Sequence, residues 1–242
     1  MKKVLLVTGG GRGIGAATAR LAAERGYAVC INYLRDKGAE KLAKEIGGIA
    51  VAADVSSEAD VVRLFETVDA KLGRISALVN NAGVVDKGSR VEAVTAARLQ
   101  RMFGINVYGS FLCAREAIKR MSKRHGGAGG SIVNLSSVAS RIGGAGEYVD
   151  YAAAKGAIDT FTIGLAKELG GEGIRVNAVR PGVINTEIHA SSGDPSRLER
   201  IGNAAPLGRY GEPEEIARTI LWLLSDEASY TTGALVDVAG GR

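Results

Sequence analysis

Seven short, continuous apolar runs punctuate the chain: Lys3–Thr8, Tyr27–Asn32, Ile49–Ala53, Ala77–Asn80, Ser131–Leu135, Arg175–Val179 and Leu235–Val238. A run without polar alternation predicts a strand buried on both faces. Between the runs, apolar positions recur at helical spacing. Gly13–Arg25 is one such stretch, ended by Gly26, and Asp36–Ile46 is another, stopped by Gly47 and Gly48. Ser57–Leu72 places Val61, Val62, Phe65 and Val68 on one side, with Ser57 as its cap. Thr95–Arg124 predicts one long helix or two, and Tyr151–Leu169 a further helix. Pro213 is positioned to open a helix over Glu214–Leu224.

Strand and helix alternate from end to end. That order predicts an α/β fold, with a doubly wound, parallel, seven-stranded sheet and helices on both faces. Residues 1–242 hold no internal repeat and no interdomain linker, so one domain is expected. Ligands of such sheets bind beyond the carboxyl ends of the strands, at the topological switch point. The least regular segment, 187–211, is rich in Ser, Gly, Asp and Pro and follows a strand end. It is expected to form a substrate lid.

Hydrophobic residues make up 46 % of the chain, which excludes a disordered polymer. No apolar run reaches the roughly 20 residues that span a bilayer. The opening "MKKVLLVTGG" is too short in its apolar part for a secretory leader. Cys30 and Cys113 sit in apolar stretches, so two buried thiols in a reducing cytoplasm are expected. No metal-ligand spacing is present, and no metal is expected. The net charge of +5 raises the question of nucleic acid. Its densest basic run, Lys119, Arg120, Lys123, Arg124 and His125, closes a predicted helix, where cations complement the helix dipole. No aromatics interleave with it, so neither nucleic acid nor membrane is an expected partner.

Chemistry enters with "VTGGGRGIGA" at 7–16, which lies between the first strand and the first helix. A helix N-terminus offers unpaired N–H groups, and a pyrophosphate reaches them only where side chains are missing. The context predicts a dinucleotide site of the Rossmann type. Its register is ambiguous: Gly11-x-Gly13-x-x-Ala16 and Thr8-Gly9-x-x-x-Gly13-x-Gly15 both fit. The second strand ends in "INYLRD", so Asn32 and Tyr33 stand where an acidic residue would hold the ribose of NAD. Asp36 falls past the strand end, and no carboxylate is expected at that site. Arg12 and Arg35 can supply charge to a 2′-phosphate, which favours NADP(H) over NAD(H).

Tyr151 and Lys155 are four residues apart in "YAAAK" and share a helix face. A free tyrosine, with a pKa of about 10, is a poor base at neutral pH. An ammonium about 4 Å away, at an effective dielectric near 20, favours phenolate by about 4 kcal/mol. That spacing therefore suits a proton carrier for carbonyl reduction or alcohol oxidation. Of the neighbouring acids, Asp150 is placed to cap the helix and Glu147 to line a substrate mouth. His189 falls in the lid segment as a loop residue.

Five motifs occur in one order: "TGGGRGIG" at 8–15, "NNAG" at 80–83, "NLSS" at 134–137, "YAAAK" at 151–155 and "RPGVINT" at 180–186. Together they resemble the short-chain dehydrogenase/reductase family over essentially the whole chain. The resemblance selects the Thr8-Gly9-x-x-x-Gly13-x-Gly15 register and leaves Gly10 and Gly11 as slack. It implies that Gly9, Gly13, Ile14 and Gly15 cradle the pyrophosphate and adjoining ribose. Asp54, with Val55, would meet the adenine. Asn80, Ala82 and Gly83 would line the cofactor's middle, with Asn80 also steadying the fourth strand. Pro181, Gly182, Val183 and Thr186 would bracket the nicotinamide.

The same resemblance implies Tyr151 as acid/base, Lys155 on the nicotinamide ribose, Asn106 holding a relay water, and Ser137 on the substrate oxygen, with Ser136 its adjacent rival. It implies an NADP(H)-dependent oxidoreductase of a small carbonyl or secondary alcohol. The closest texture is that of glucose 1-dehydrogenase-like enzymes, with a 3-oxoacyl-[acyl-carrier-protein] reductase as the alternative. A non-catalytic cofactor sensor would lack the Tyr or the Lys, and both are present. A homotetramer is implied as well.

Overall fold

The computed structural model describes residues 2–36, 38–186 and 202–242. Seven strands form one all-parallel sheet: β1 (Val4–Val7), β2 (Ala28–Tyr33), β3 (Ile49–Ala52), β4 (Ala77–Asn80), β5 (Gly130–Leu135), β6 (Ile174–Pro181) and β7 (Leu235–Val238). Their order is β3-β2-β1-β4-β5-β6-β7, so the winding reverses between β1 and β4. Leu5 is in register with Val29 of β2 on one side and Ala77 of β4 on the other.

Continuous apolar strands serve two cores. Leu6, Leu78, Ile132 and Val176 face one of them, packed under α3 (Glu58–Leu72), α5 (Gly109–Met121) and α7 (Val149–Leu169). Leu5, Val7, Val79, Val133 and Val179 face the other, under α1 (Gly13–Glu24), α2 (Gly38–Glu45) and α8 (Pro213–Leu224). Successive side chains point to opposite faces, so a strand covered on both sides has no polar alternation. Burying each such side chain contributes about 1.5–3 kcal/mol. Cys30 and Cys113 are free and buried, and burial pushes both thiols up to about 12.

The helix boundaries follow local chemistry where a cap exists. Ser57 accepts the backbone N–H of Asp60, as its position predicts. Pro213 opens α8, where Glu212 and Glu215 form a capping box. The predicted stretch Thr95–Arg124 resolves into α4 (Ala96–Phe103), a π turn (Gly104–Tyr108) and α5. Lys119 and Arg120, the cations of the last turn of α5, are spent on Glu116 and Asp69. A short helix, α6 (Ala139–Ile142), precedes α7.

One local assignment is corrected. Helix α7 begins at Val149 with Tyr148 as its N-cap, so Asp150 lies inside the first turn and does not cap it. Most of the predicted lid, 187–201, and with it His189, lies outside the described residues. No helix of the described residues is long and apolar enough to cross a membrane.

Candidate active site

The segments that follow β1, β2, β3, β4, β5 and β6 converge on one cavity of about 1020 Å³. The glycine turn forms one end of it. Gly9 and Gly13 adopt φ of +60° and +51°, conformations that side chains disfavour. Arg12 is the N-cap of α1 but makes no side-chain capping bond, and the first turn of α1 holds no acidic residue. The unpaired N–H groups and positive dipole end are thereby open to an anion. These features fit a pyrophosphate.

Gly15 has a different task. A Cβ there would stand 2.5 Å from Asn81 Nδ2 and 2.7 Å from the Gly9 carbonyl oxygen. Gly15 does not line the cavity; its bareness lets α1 pack against the turn. Gly10 and Gly11 are not slack either. Added Cβ atoms would meet Ile31 Cγ2 and Asp36 Oδ2, each at 3.0 Å.

The turn is held from its neighbours. Thr8 Oγ1 accepts the backbone N–H groups of Asn81 and Ala82, both at 3.0 Å. Asn81 Nδ2 donates back to the carbonyls of Thr8 (2.9 Å) and Gly9 (3.0 Å). On the other side, Asn32 Oδ1 accepts the Gly9 N–H at 3.3 Å, and its amide donates to the Ala53 carbonyl at 3.0 Å. Asn32 thus braces the turn against the end of β3.

At the end of the cavity formed after β2, the expectation of no carboxylate is overturned. The chain after β2 folds back over the turn, and Asp36 lines the cavity beside Arg12 and Arg35. A carboxylate is therefore present, its Oδ1 accepting the Gly38 N–H at 2.8 Å. Tyr33 lines the same end and donates its hydroxyl to Glu40. Asp54 and Val55 also line it, with Asp54 Oδ1 accepting from Ser56 Oγ at 2.6 Å.

Asn80 stands behind the lining rather than in it. Its amide donates to Asn134 Oδ1 (2.9 Å) and to the Ser110 carbonyl (3.2 Å), which ties β4 to β5 and α5. Ala82 and Gly83 do face the cavity, as do Pro181, Gly182, Val183 and Thr186 at the end of β6.

The other end of the cavity gathers Ser137, Tyr151, Lys155, Asn106 and Glu147. Lys155 is buried, and its Nζ donates to the Leu135 carbonyl at 2.6 Å and lies 5.6 Å from the centre of the Tyr151 ring. Burial pushes its pKa down to about 8, against the opposing pull of Asp159 one turn along. Asn106 sits in the π turn, a deformation common at functional sites. Its amide donates to Val84 O (3.0 Å) and Met102 O (2.9 Å), and its Oδ1 accepts the Val84 N–H (3.2 Å). The two serines separate cleanly. Ser136 is buried and donates to the Lys155 carbonyl at 3.1 Å. Ser137 Oγ accepts the Ala139 N–H at 3.1 Å, so its own proton can be offered elsewhere.

Comparison with known proteins decides the class. A family model described as enoyl-(acyl carrier protein) reductase matches residues 9–242. The chain belongs to the short-chain dehydrogenase/reductase family. It is 53 % identical to an uncharacterised oxidoreductase, YgfF, of Escherichia coli, with 99 % of each chain covered. It is 40 % identical to a 3-oxoacyl-[acyl-carrier-protein] reductase of Bos taurus, covering 100 % of this chain and 98 % of the relative. A crystal structure of a 3-ketoacyl-(acyl-carrier-protein) reductase from Brucella melitensis, complexed with NADH, superposes with a TM-score of 0.94 at 34 % identity. That match covers 99 % of this chain and 98 % of the other. The protein is thus an oxidoreductase of a nicotinamide-using family. Among the described residues no group of three or more His, Cys, Asp and Glu could hold a metal ion.

Two site features had no clear signal in the sequence reading. Asn81 was one letter of a motif, and its bracing role needs the approach of two loops. Arg98 forms a fork on Asp150, from a residue 52 positions away.

The depressed Lys155 pKa makes a stability prediction. Between about pH 8 and the ordinary lysine value near 10.4, the unfolded chain keeps this proton and the folded chain releases it. The unfolded state then binds more protons, so stability rises with pH in that window. Without cofactor, the unfolding free energy of the parent should therefore gain on that of Lys155→Met as pH rises from 8 to 10. Parallel denaturant titrations across the window check the sign.

Proposed function

We propose that the protein is an NADP(H)-dependent oxidoreductase acting on a small carbonyl or secondary alcohol, a sugar among the candidates, with Tyr151 as the acid/base. The observation that carries this reading is the shared cavity. Its glycine turn fits a dinucleotide, and its far end brings Tyr151, Lys155 and Ser137 together. The nicotinamide, when bound, supplies or accepts the hydride.

The protein's own residues handle the proton and the oxygen. Ser137 and Tyr151 hydrogen-bond the substrate oxygen, a small oxyanion site. Lys155 holds the nicotinamide ribose, and its ammonium favours the phenolate of Tyr151. Asn106 fixes Val84 at the cavity wall and carries the relay water. Gly9, Gly13 and Ile14 hold the pyrophosphate, with Gly15 shaping their turn, while Asp54 and Val55 meet the adenine. Pro181, Gly182, Val183 and Thr186 bracket the nicotinamide. A lid over 187–211 belongs to the same proposal, and its base is a bridge between Ile184 and Gly211.

NADP(H) is favoured by Arg12 and Arg35 at the adenosine end, where Asp36 and Asp54 are opposing charges. The similarity to 3-oxoacyl-[acyl-carrier-protein] reductases supports a second reading, reduction of a carrier-bound thioester. Against it, Arg124, a cation suited to an acidic carrier, has Glu172 3.9 Å away. Exposed Tyr108, Phe111 and Ile163 on α4–α5 and α7 support a homotetramer.

Four measurements test these readings. A panel of ketones, aldehydes, sugars and an acetoacetyl thioester should show turnover by the parent. Tyr151→Phe and Ser137→Ala should each lose at least about a hundredfold in kcat, and Ser136→Ala much less. Equal turnover by parent and Tyr151→Phe sinks the mechanism. The ratio of kcat/KM for NADPH over NADH should exceed one, fall in Arg35→Ala and rise in Asp36→Asn. Light scattering at micromolar concentration should give a tetramer, and a monomer rejects it.

A further inference from the structure

Helix α7 starts without a side-chain cap, because Tyr148 at its N-cap position makes no capping bond. Its first turn is instead held from outside. Asp150, the residue before Tyr151, takes a two-pronged hydrogen bond from Arg98 of α4: Nε to Oδ2 at 2.7 Å and Nη2 to Oδ1 at 3.1 Å. Only 15 % of the Arg98 side chain and 5 % of the Asp150 side chain are exposed. A third donor of the same guanidinium, Nη1, reaches the Lys87 carbonyl at 2.7 Å. Burial pushes the Asp150 carboxyl up, but Arg98 and the backbone N–H of Tyr151 outweigh it and hold the group below the usual carboxylate range. The carboxylate therefore touches both Arg98 and the backbone of Tyr151.

The other end of this linkage is equally well placed. Arg98 lies in the first turn of α4, whose cap Thr95 accepts the Arg98 N–H at 3.2 Å. The same helix runs into the π turn that carries Asn106. Asn106 pins Val84 and Arg98 pins Lys87, so the loop after β4 is fastened at two points. A third fastening joins it to the segment before α7, where the Ser89 N–H donates to the Glu147 carbonyl at 2.8 Å.

We propose that Arg98 and Asp150 are a positioning pair for the reaction, locking the first turn of α7, and with it the Tyr151 phenol, to the helix that leads into the π turn of Asn106. The proposal rests on Tyr151 as the acid/base. A buried ion pair is a poor source of net stability, since desolvation offsets much of its attraction. Its value here is geometric. A planar guanidinium on a carboxylate fixes both distance and orientation. An ordinary pair along the 21 residues of α7 would steady the helix anywhere; this one acts next to the reacting side chain. Displacement of a reacting group by about 1 Å costs about a hundredfold in rate.

The test uses Arg98→Met, Asp150→Asn, the double variant, and Arg98→Lys, which keeps the charge but loses the fork. Each is measured for kcat with a turned-over carbonyl, for NADPH dissociation constant and for unfolding midpoint. Each single variant should lose about tenfold in kcat, with NADPH binding within about twofold of the parent. The double variant leaves no buried charge unpaired, so its midpoint should recover while kcat stays about tenfold down. Arg98→Lys should keep a near-parental midpoint and still lose kcat. Parental kcat in the double variant or in Arg98→Lys overturns the proposal, and these two carry the test if a single variant fails to fold. Tyr151→Phe is run alongside. If it is inactive while the double variant is parental, the pair alone is wrong; if it is fully active, the acid/base reading fails instead.

Discussion

The crevice between β1 and β4 exists because two loops are tied across it. Thr8 Oγ1 accepts from Asn81 and Ala82, and Asn81 returns two bonds to the carbonyls of Thr8 and Gly9. These bonds set the width of the switch point, where parallel strands leave an opening for a ligand. They also satisfy backbone groups that the diverging chains would otherwise leave unpaired. The bare glycines matter for the same reason. At Gly9, a Cβ would lie 2.9 Å from the Ala82 Cα and force the two loops apart. Everything else in the cavity is built outward from this contact.

The far end of the cavity works under a different constraint. A lysine is held in a buried site, where its charge is disfavoured, and is fastened by its bond to the Leu135 carbonyl. Such a cation acts strongly on a neighbouring phenol because little water screens it. The surroundings are accordingly rigid. Ser136 is committed to the Lys155 carbonyl, the π turn aims Asn106 at Val84, and Arg98 grips the start of α7. The depressed pKa and the tight packing are two results of one choice, a charged group kept away from solvent.

Much of this architecture is legible in the amino-acid sequence. The seven strands follow from continuous apolar runs, and two of the capped helix starts, at Ser57 and Pro213, from their own residues, because those signals are local. The cavity-lining glycines, Tyr151 and Lys155 follow from spacing along one loop and one helix. What stayed hidden depended on distant parts of the chain. Asn32 reads as a missing acid but is a brace between Gly9 and Ala53. Asp36 reads as past the site, yet the fold-back after β2 returns it to the rim. Asp150 reads as a cap until Arg98 is seen upon it.

By itself, then, the sequence determined the fold class, the family and the helix that carries Tyr151 and Lys155, since periodicity, caps and motif order are properties of neighbouring residues. Only the tertiary structure decided how polar side chains are spent. A hydrogen bond between residues 52 positions apart, such as Arg98 to Asp150, leaves no periodic trace. Which asparagine braces, which carboxylate faces the cavity and which serine is committed to a backbone carbonyl are settled when loops from six strand ends meet. They depend on which donors and acceptors that meeting brings within about 3 Å.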